Sequence, residues 1–220
     1  MLNSYPAGSK RDTYTIPVGV DRIGNSAFRN CTSLKSVIMP NTVTVTYGGT
    51  FEGCSNLEEV KLSDNLVYMG AYMFRYCTNL NMVSIPSTVK SIGEYTFHGC
   101  SSLKTLDLPA SVFLLGDFSF CDCNLEKLVI RGVIDNTYLS KNTFSGLDDS
   151  CSIYVLESET ERYKQCYSGP VLPLESYTTE IAMPNKAKNS STLFDLQGRR
   201  LQKESAQGIY IRDGRKYIGK

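Results

Sequence analysis

The stretch VSIPSTVKSIGEYTFHGCSSLKT, Val83 to Thr105, decides the fold, because the chain repeats it. Ahead of it run YTIPVGVDRIGNSAFRNCTSLKS (14–36), VIMPNTVTVTYGGTFEGCSNLEE (37–59) and VKLSDNLVYMGAYMFRYCTNLNM (60–82). Behind it come LDLPASVFLLGDFSFCDCNLEK (106–127), one residue shorter, and a degenerate sixth copy from Leu128 to Phe144. Phe28, Phe51, Phe74, Phe97 and Phe120 stand 23 residues apart, and Cys31, Cys54, Cys77, Cys100 and Cys123 each follow by three. Two residue phases held over five copies mark a repeat architecture, in which each unit buries its apolar face only against its neighbours.

One unit holds two kinds of segment. In Leu80-Asn81-Met82-Val83-Ser84-Ile85-Pro86 the alternation of Val83 and Ile85 is that of a strand with one buried face. Proline, which has no N–H to donate, ends the strand at positions 17, 40, 86 and 109, with Ser63 the exception. A second apolar pair follows and ends in glycine at 24, 70, 93 and 116, where a bend or positive φ is expected. Tyr47 departs from that pattern, with Gly48 and Gly49 beside it. The F-x-x-C-x-x-L stretch reads as a short helix or a tight turn. Strands of successive units then stack in parallel, roughly 4.8 Å apart, with Phe, Cys, Leu, Val and Ile facing inward.

The whole unit I-P-x-x-V-x-x-I-G-x-x-x-F-x-x-C-x-x-L, over residues 14–147, resembles the BspA-like leucine-rich repeat family of bacterial surface and secreted proteins. Ser152-Ile153-Tyr154-Val155 followed by Tyr163-Lys164 is similar to that family's final turn. The resemblance implies an α/β class, right-handed leucine-rich-repeat solenoid with a parallel sheet, found on exported proteins and associated with adhesion and host-protein binding. It brings no catalytic motif. The segments Thr192–Arg200 and Gly208–Tyr217 resemble the short β tail that ends many exported proteins of the Bacteroides group. In their own terms, Asp213-Gly214 between Ile209/Ile211 and Tyr217 reads as a hairpin turn, and Gln197-Gly198 as another.

The 220 residues thus divide into a solenoid of about six turns at 1–167, a linker at 168–191 and a β tail at 192–220. Pro170, Pro173 and Pro184 mark the linker, with one strand expected around Tyr177–Ile181. About a dozen residues precede the first repeat at Tyr14, which is thin for a cap and favours truncation or an unusual cap. No signal peptide opens the chain, so Met1 reads as the start of a shortened product of an exported protein. A net charge of +1 favours neither nucleic acid nor an anionic membrane, and no apolar stretch is long enough to span one. Residues 198–220 hold seven bases and two acids, which reads first as a solvated hairpin face and second as a contact for a polyanion such as lipopolysaccharide.

Several residues tempt a chemical reading. The five in-phase cysteines read as small buried apolar groups with a weak S–H donor, because parallel side-chain vectors disfavour bridging. Cys121, Cys151 and Cys166 lie outside the series, and Cys151 with Cys166 could clip the last turn. Cys121-Asp122-Cys123 is too tight for a zinc half-site, with no second pair nearby, so no metal is expected. His98, the only histidine, stands beside Gly99-Cys100 and invites a Cys/His nucleophile reading. Against that, its slot holds Arg29, Glu52, Arg75 and Cys121 in the other copies, which predicts an exposed position that tolerates any side chain. Asn30-Cys31-Thr32 matches a glycosylation sequon, but Cys31 is a core rung. No catalytic, cofactor-binding or metal-binding set emerges.

The strand residues that alternate with the buried ones line the outer face of the sheet. Thr13 and Thr15 begin it, and the candidate ligand-binding stripe is Ser36, Ile38, Glu59, Lys61, Met82, Ser84, Thr105, Asp107, Lys127 and Val129. Solenoids use such a concave face for extended partners, and the bland alternative is a solvated sheet. A second candidate is the aromatic set Tyr72, Tyr76, Tyr95 and Phe118, either an interface anchor or a partly buried edge stack. The sequence therefore points to a non-enzymatic, exported interaction module that binds a protein or cell-surface ligand. The alternatives are a spacer or fragment of a longer surface protein and, last, a cysteine-dependent enzyme. Open strand edges at the ends leave self-association open.

Overall fold

The computed structural model describes residues 1–177 in full and, as backbone, strands within 193–219. The chain forms two units, Met1–Thr178 and Thr179–Lys220.

The first unit winds through two strands per repeat. They are β1 (Thr13–Thr15), β2 (Arg22–Ile23), β3 (Ser36–Ile38), β4 (Val45–Thr46), β5 (Glu59–Lys61), β6 (Tyr68–Met69), β7 (Met82–Val83), β8 (Ser91–Ile92), β9 (Thr105–Leu108), β10 (Leu114–Leu115) and β11 (Lys127–Ile130). The odd-numbered strands are the L-x-x-V-x-I-P segments. All their pairings are parallel, and Tyr14, Val37, Val60 and Val83 sit on successive strands of one register. The even-numbered strands are the second apolar pair, which the sequence reading left without a structure. They form an unbroken five-stranded ladder, β10-β8-β6-β4-β2. The first ladder is broken: β1-β3-β5-β7 and β9-β11-β12-β13 are separate sheets. Here β12 is Ser152–Val155 and β13 is Val171–Pro173.

Between β8 and β9, as in every repeat, the F-x-x-C-x-x-L stretch is a hydrogen-bonded turn, the second of the two expected forms. Among the described residues the one α-helix is α1 (Thr160–Lys164), whose buried Tyr163 lies 5.8 Å from Phe144 and closes the stack. The turns do not become helices because alternate N–H groups bond to the next winding, those between them closing tight bonds within the turn. In the third winding Tyr72, Phe74 and Tyr76 donate to the carbonyls of Glu94, Thr96 and His98, each at 2.8 Å. This pattern needs a left-handed residue on either side of the phenylalanine. Ser26, Gly49, Tyr72, Tyr95 and Phe118 form one positive-φ phase, and Asn30, Gly53, Tyr76, Gly99 and Asp122 the other. The glycines before the turns have a different reason from the one expected. A Cβ on Gly93 would lie 2.4 Å from the Ala71 nitrogen, and one on Gly116 2.3 Å from that of Glu94. Close approach of backbones selects glycine there.

The core is a set of ladders. Phenylalanine rings at 28, 51, 74 and 97 stack on the next rung at 5.0 to 6.2 Å between centroids. Tyr5 extends the column at the other end, 5.2 Å from Phe28. It stands 23 residues before Phe28, and its N–H donates to Ala27 as the phenylalanine N–H groups do to their neighbours. Residues 2–5 therefore act as the return segment of a preceding winding and cap the first repeat. Four of the five rung cysteines donate their S–H to a carbonyl of the winding before: Cys54 to Phe28, Cys77 to Phe51, Cys100 to Phe74 and Cys123 to Phe97, at 2.9 to 3.1 Å, while Cys31, in the first winding, turns to Arg29 of its own turn. None of the eight cysteines is bridged, Cys151 and Cys166 included.

One boundary moves. Val171–Pro173, expected in a linker from 168, adds a parallel strand to β12 and belongs to the first unit. The second unit contains β14 (Leu193–Asp195), β15 (Arg200–Leu201), β16 (Gly208–Arg212) and β17 (Arg215–Gly219), in the antiparallel order β15-β14-β16-β17. The expected turns at Gln197-Gly198 and Asp213-Gly214, the linker beyond Tyr177 and, past Tyr177 itself, the strand expected around 177–181 lie outside the described residues.

Phe74 has a ring on both sides, at 5.6 and 5.7 Å. Phe74→Ala is expected to lower stability by about 3–5 kcal/mol in urea denaturation followed by circular dichroism. A loss below about 1 kcal/mol would contradict a stacked core.

Candidate functional site

The period-2 alternation that buries Val37, Val60 and Leu106 turns the intervening residues outward. Glu59, Lys61, Met82, Ser84 and Thr105 are exposed, while Ser36, Asp107 and Lys127 are half-buried. Two apolar side chains stand among them, Ile38 at 43% exposure and Met82 at 62%. The polar ones are partly paired across the strands. Ser36 donates to Glu59 at 3.0 Å. Arg131, at the end of β11, donates twice to the Asp107 carboxylate, at 2.7 and 2.6 Å. That fork geometry holds the guanidinium pKa above its ordinary value.

Val129 is a correction to the expected stripe. It is fully buried, between Asp107 and Tyr154 in the register. The ring of Tyr177 lies 5.0 Å from that of Tyr154, so chain leaving β13 covers this end of the face. The open face runs from Thr13 to Lys127.

The break between β7 and β9 falls within that face. No strand pairing joins 82–85 to 105–108, whereas β8 and β10 behind them remain paired. Val83 and Ile85 are accordingly 9% and 8% exposed, more than the inward strand residues of neighbouring windings. The opening is a cleft of about 390 Å³ whose walls include Met82, Ile85, Thr105, Asp107 and Arg131. It combines an apolar wall, strand-edge backbone and an ion pair. Sequence alternation is the same on both sides of the break and carried no sign of it.

The aromatic set is an edge stack. Tyr72, Tyr95 and Phe118 stack at 5.2 and 5.0 Å, and the Arg75 guanidinium lies 4.8 Å from the centre of the Tyr76 ring. Tyr76 alone of the four is exposed, at 44%. The neighbouring slot was expected to be exposed throughout, and it is not. Arg29, Glu52 and Arg75 form an ion-pair ladder with N–O distances of 3.3 and 3.5 Å. The next member, His98, is 7% exposed. Its Nε2 is 3.1 Å from the Tyr76 hydroxyl, and burial pushes its pKa below the ordinary value, with Asp122 opposing. His98 therefore faces the adjacent winding, where Cys121 and Asp122 stand, rather than Cys100.

A Cys/His nucleophile does not assemble. Cys100 is fully buried with its S–H on Phe74, and burial pushes its pKa well above that of a free thiol. Cys121 is also pushed up, by burial and then by the Asp122 carboxylate. Neither is a thiolate at neutral pH.

Two parallel ladders, turns every 23 residues and an apolar column define a leucine-rich-repeat solenoid. A family model described as "BspA type Leucine rich repeat region" matches in six copies over residues 7–94 and 69–188. The chain belongs to the BspA-type leucine-rich repeat family. Among solved structures it is similar to a leucine-rich repeat protein from Bacteroides ovatus, at 29% identity and a TM-score of 0.59, over 70% of this chain and 39% of that one. It is similar in fold to the T. pallidum leucine rich repeat protein, at 20% identity and a TM-score of 0.61, over 78% of this chain and 90% of that one. A leucine rich cell surface protein from Faecalibacterium prausnitzii matches at 24% identity and a TM-score of 0.50, over 80% of this chain and 38% of that one. The chain thus spans well under half the length of two of these three neighbours. Among curated proteins none matches the sequence. Among the described residues no helix is long and apolar enough to cross a membrane.

Burial pushes the thiols of Cys54 and Cys123 up to about 12 and leaves Cys121 and Cys166 half-buried. Iodoacetamide at neutral pH is expected to label at most those two in the folded protein, with the five rung cysteines reacting only after denaturant is added. Peptide mapping by mass spectrometry checks this. Rapid labelling of Cys100 would revive the nucleophile reading.

Proposed function

We propose that this chain is an exported, non-enzymatic interaction module that binds a protein or cell-surface ligand on the outer face of its principal sheet. The leucine-rich repeat is generally a protein-interaction fold. The observation that carries the reading is the open cleft between β7 and β9, set in an uncovered face. A pocket of about 390 Å³ walled by Met82 and Ile85 suits one large apolar anchor side chain. The Asp107–Arg131 pair and the strand edges offer hydrogen bonds around it. Ser36, Glu59, Lys61, Ser84, Thr105 and Lys127 then form a polar surround, with Ile38 a second apolar contact.

Export is supported by the family and by a structural neighbour described as a cell surface protein. The near-neutral charge gives nucleic acid no general footing, and membrane insertion is not part of the reading. No metal or cofactor serves the proposed sheet contact. A second reading, a spacer within a longer surface protein whose ligand sites lie in other windings, is favoured by the chain's spanning 39% and 38% of two neighbours.

The purified chain, immobilised and exposed to arrays of extracellular-matrix proteins and surface glycans, separates the two. A module captures a defined ligand, and Met82→Lys abolishes capture while leaving the thermal melt within about 2 °C of the parent, since Met82 is exposed. Capture that survives Met82→Lys moves the site off the cleft, and an empty array favours the spacer.

A further inference from the structure

We propose a zinc-binding site on the turn edge of the fourth and fifth windings, with His98 Nδ1, Cys121 Sγ and an Asp122 carboxylate oxygen as its three protein ligands and water in the fourth position. These three donor atoms lie within 4.8 Å of one another. Around a tetrahedral zinc with bonds of about 2.0–2.3 Å, donor atoms sit about 3.3–3.8 Å apart, so modest side-chain adjustment closes the set. His98 Nδ1 and the nearer Asp122 oxygen are already 3.8 Å apart, too far for a hydrogen bond.

The imidazole carries the argument. It is 7% exposed, and its buried Nδ1 makes no hydrogen bond of good geometry, although the Cys121 backbone lies close enough to the ring to oppose the fall in its pKa. A buried nitrogen left unpaired is an unusual cost unless something else meets it. Its other nitrogen is held by the Tyr76 hydroxyl at 3.1 Å, and the ring packs edge-on against Tyr76 at 4.9 Å and Tyr95 at 5.8 Å. An outer hydrogen bond of this kind fixes the orientation of a ligating histidine, and with Nε2–H donating to the hydroxyl the Nδ1 lone pair is left to face the metal. Asp122, at 70% side-chain exposure, is free to swing inward, and the half-buried Cys121 leaves an entry path.

The donor set selects the ion. Imidazole and thiolate disfavour magnesium and calcium, which take oxygen ligands. Thiolate and carboxylate together neutralise a divalent ion, which matters because the Arg75 guanidinium lies 4.8 Å from the centre of the Tyr76 ring. Elsewhere in this column the slots hold Arg29, Glu52 and Arg75, an ion-pair ladder that needs no metal. Binding displaces the Cys121 proton to solvent and changes no oxidation state. The site is remote in kind from the proposed sheet contact: losing one leaves the other standing.

The test uses the full chain, stripped with chelator and titrated with cobalt(II), then zinc(II). The expected result is a thiolate-to-cobalt charge-transfer band that saturates at one ion per chain, with zinc displacing the cobalt. Cys121→Ser loses the band, and His98→Gln and Asp122→Asn weaken binding; asparagine tolerates the left-handed backbone of position 122. Tyr76→Phe, which touches no ligand atom, lowers zinc affinity about 10–100-fold. A band that persists in Cys121→Ser, or none at excess cobalt in protein with its native circular dichroism, overturns the proposal.

Discussion

Each return segment gives alternate backbone donors to the winding beside it, and the rest of the molecule follows from that. A return segment of this kind could satisfy its N–H groups internally, as a helix does. Here alternate ones point along the stack instead, Ser26 to Gly48, Phe28 to Thr50, Asn30 to Glu52, and so on through the windings, while Arg29 and Cys31 bond back within the turn. Each winding is thereby fixed one hydrogen-bond length from the next on its turn side as well as on its strands. Side chains of equal phase then have no choice but to meet.

That constraint explains the choice of core residues. A phenylalanine at every rung meets another phenylalanine, and flat rings tolerate the contact in an offset stack. The cysteine three residues on is small enough to fit behind the ring, and its S–H finds the carbonyl of the phenylalanine one winding back. That carbonyl already accepts the N–H of its own turn's cysteine, as Phe51 does from Cys54 and Phe74 from Cys77. Its second lone pair takes the thiol. Serine would offer the same bond but a more strongly hydrated hydroxyl, so a buried position favours sulfur.

Legibility in the sequence followed the same logic. The ladders could be read because phase and identity recur together at Phe28 through Phe120. The left-handed phase could not, because Ser26, Gly49, Tyr72, Tyr95 and Phe118 share a backbone angle while only the last three share a side-chain type, and aromatic residues give no sign of positive φ. Tyr5 was missed although it stands 23 residues before Phe28, since tyrosine hid the phase. Val129 is misplaced by the alternation because it lies beside Tyr154, whose ring meets Tyr177 from a segment read as linker. His98 looked exposed because its slot holds charged residues in other copies, yet Tyr76 and Tyr95 enclose it here. Its neighbours Cys121 and Asp122 lie one full period away, where a search for short ligand motifs does not look.

The interruption between β7 and β9 makes one junction in the array unlike the others. In a linear stack the total stability is a chain of nearest-neighbour couplings, and the chain parts at its poorest coupling. This junction keeps the turn bonds and the second ladder but forfeits a strand pairing. The stack is therefore expected to part first along this seam, between Ile85 and Thr105. Amide exchange would show the seam as a step in protection, and a homogeneous profile would erase it. Flexure about that line would also change the width of the crevice, tying the elasticity of the stack to whatever occupies it.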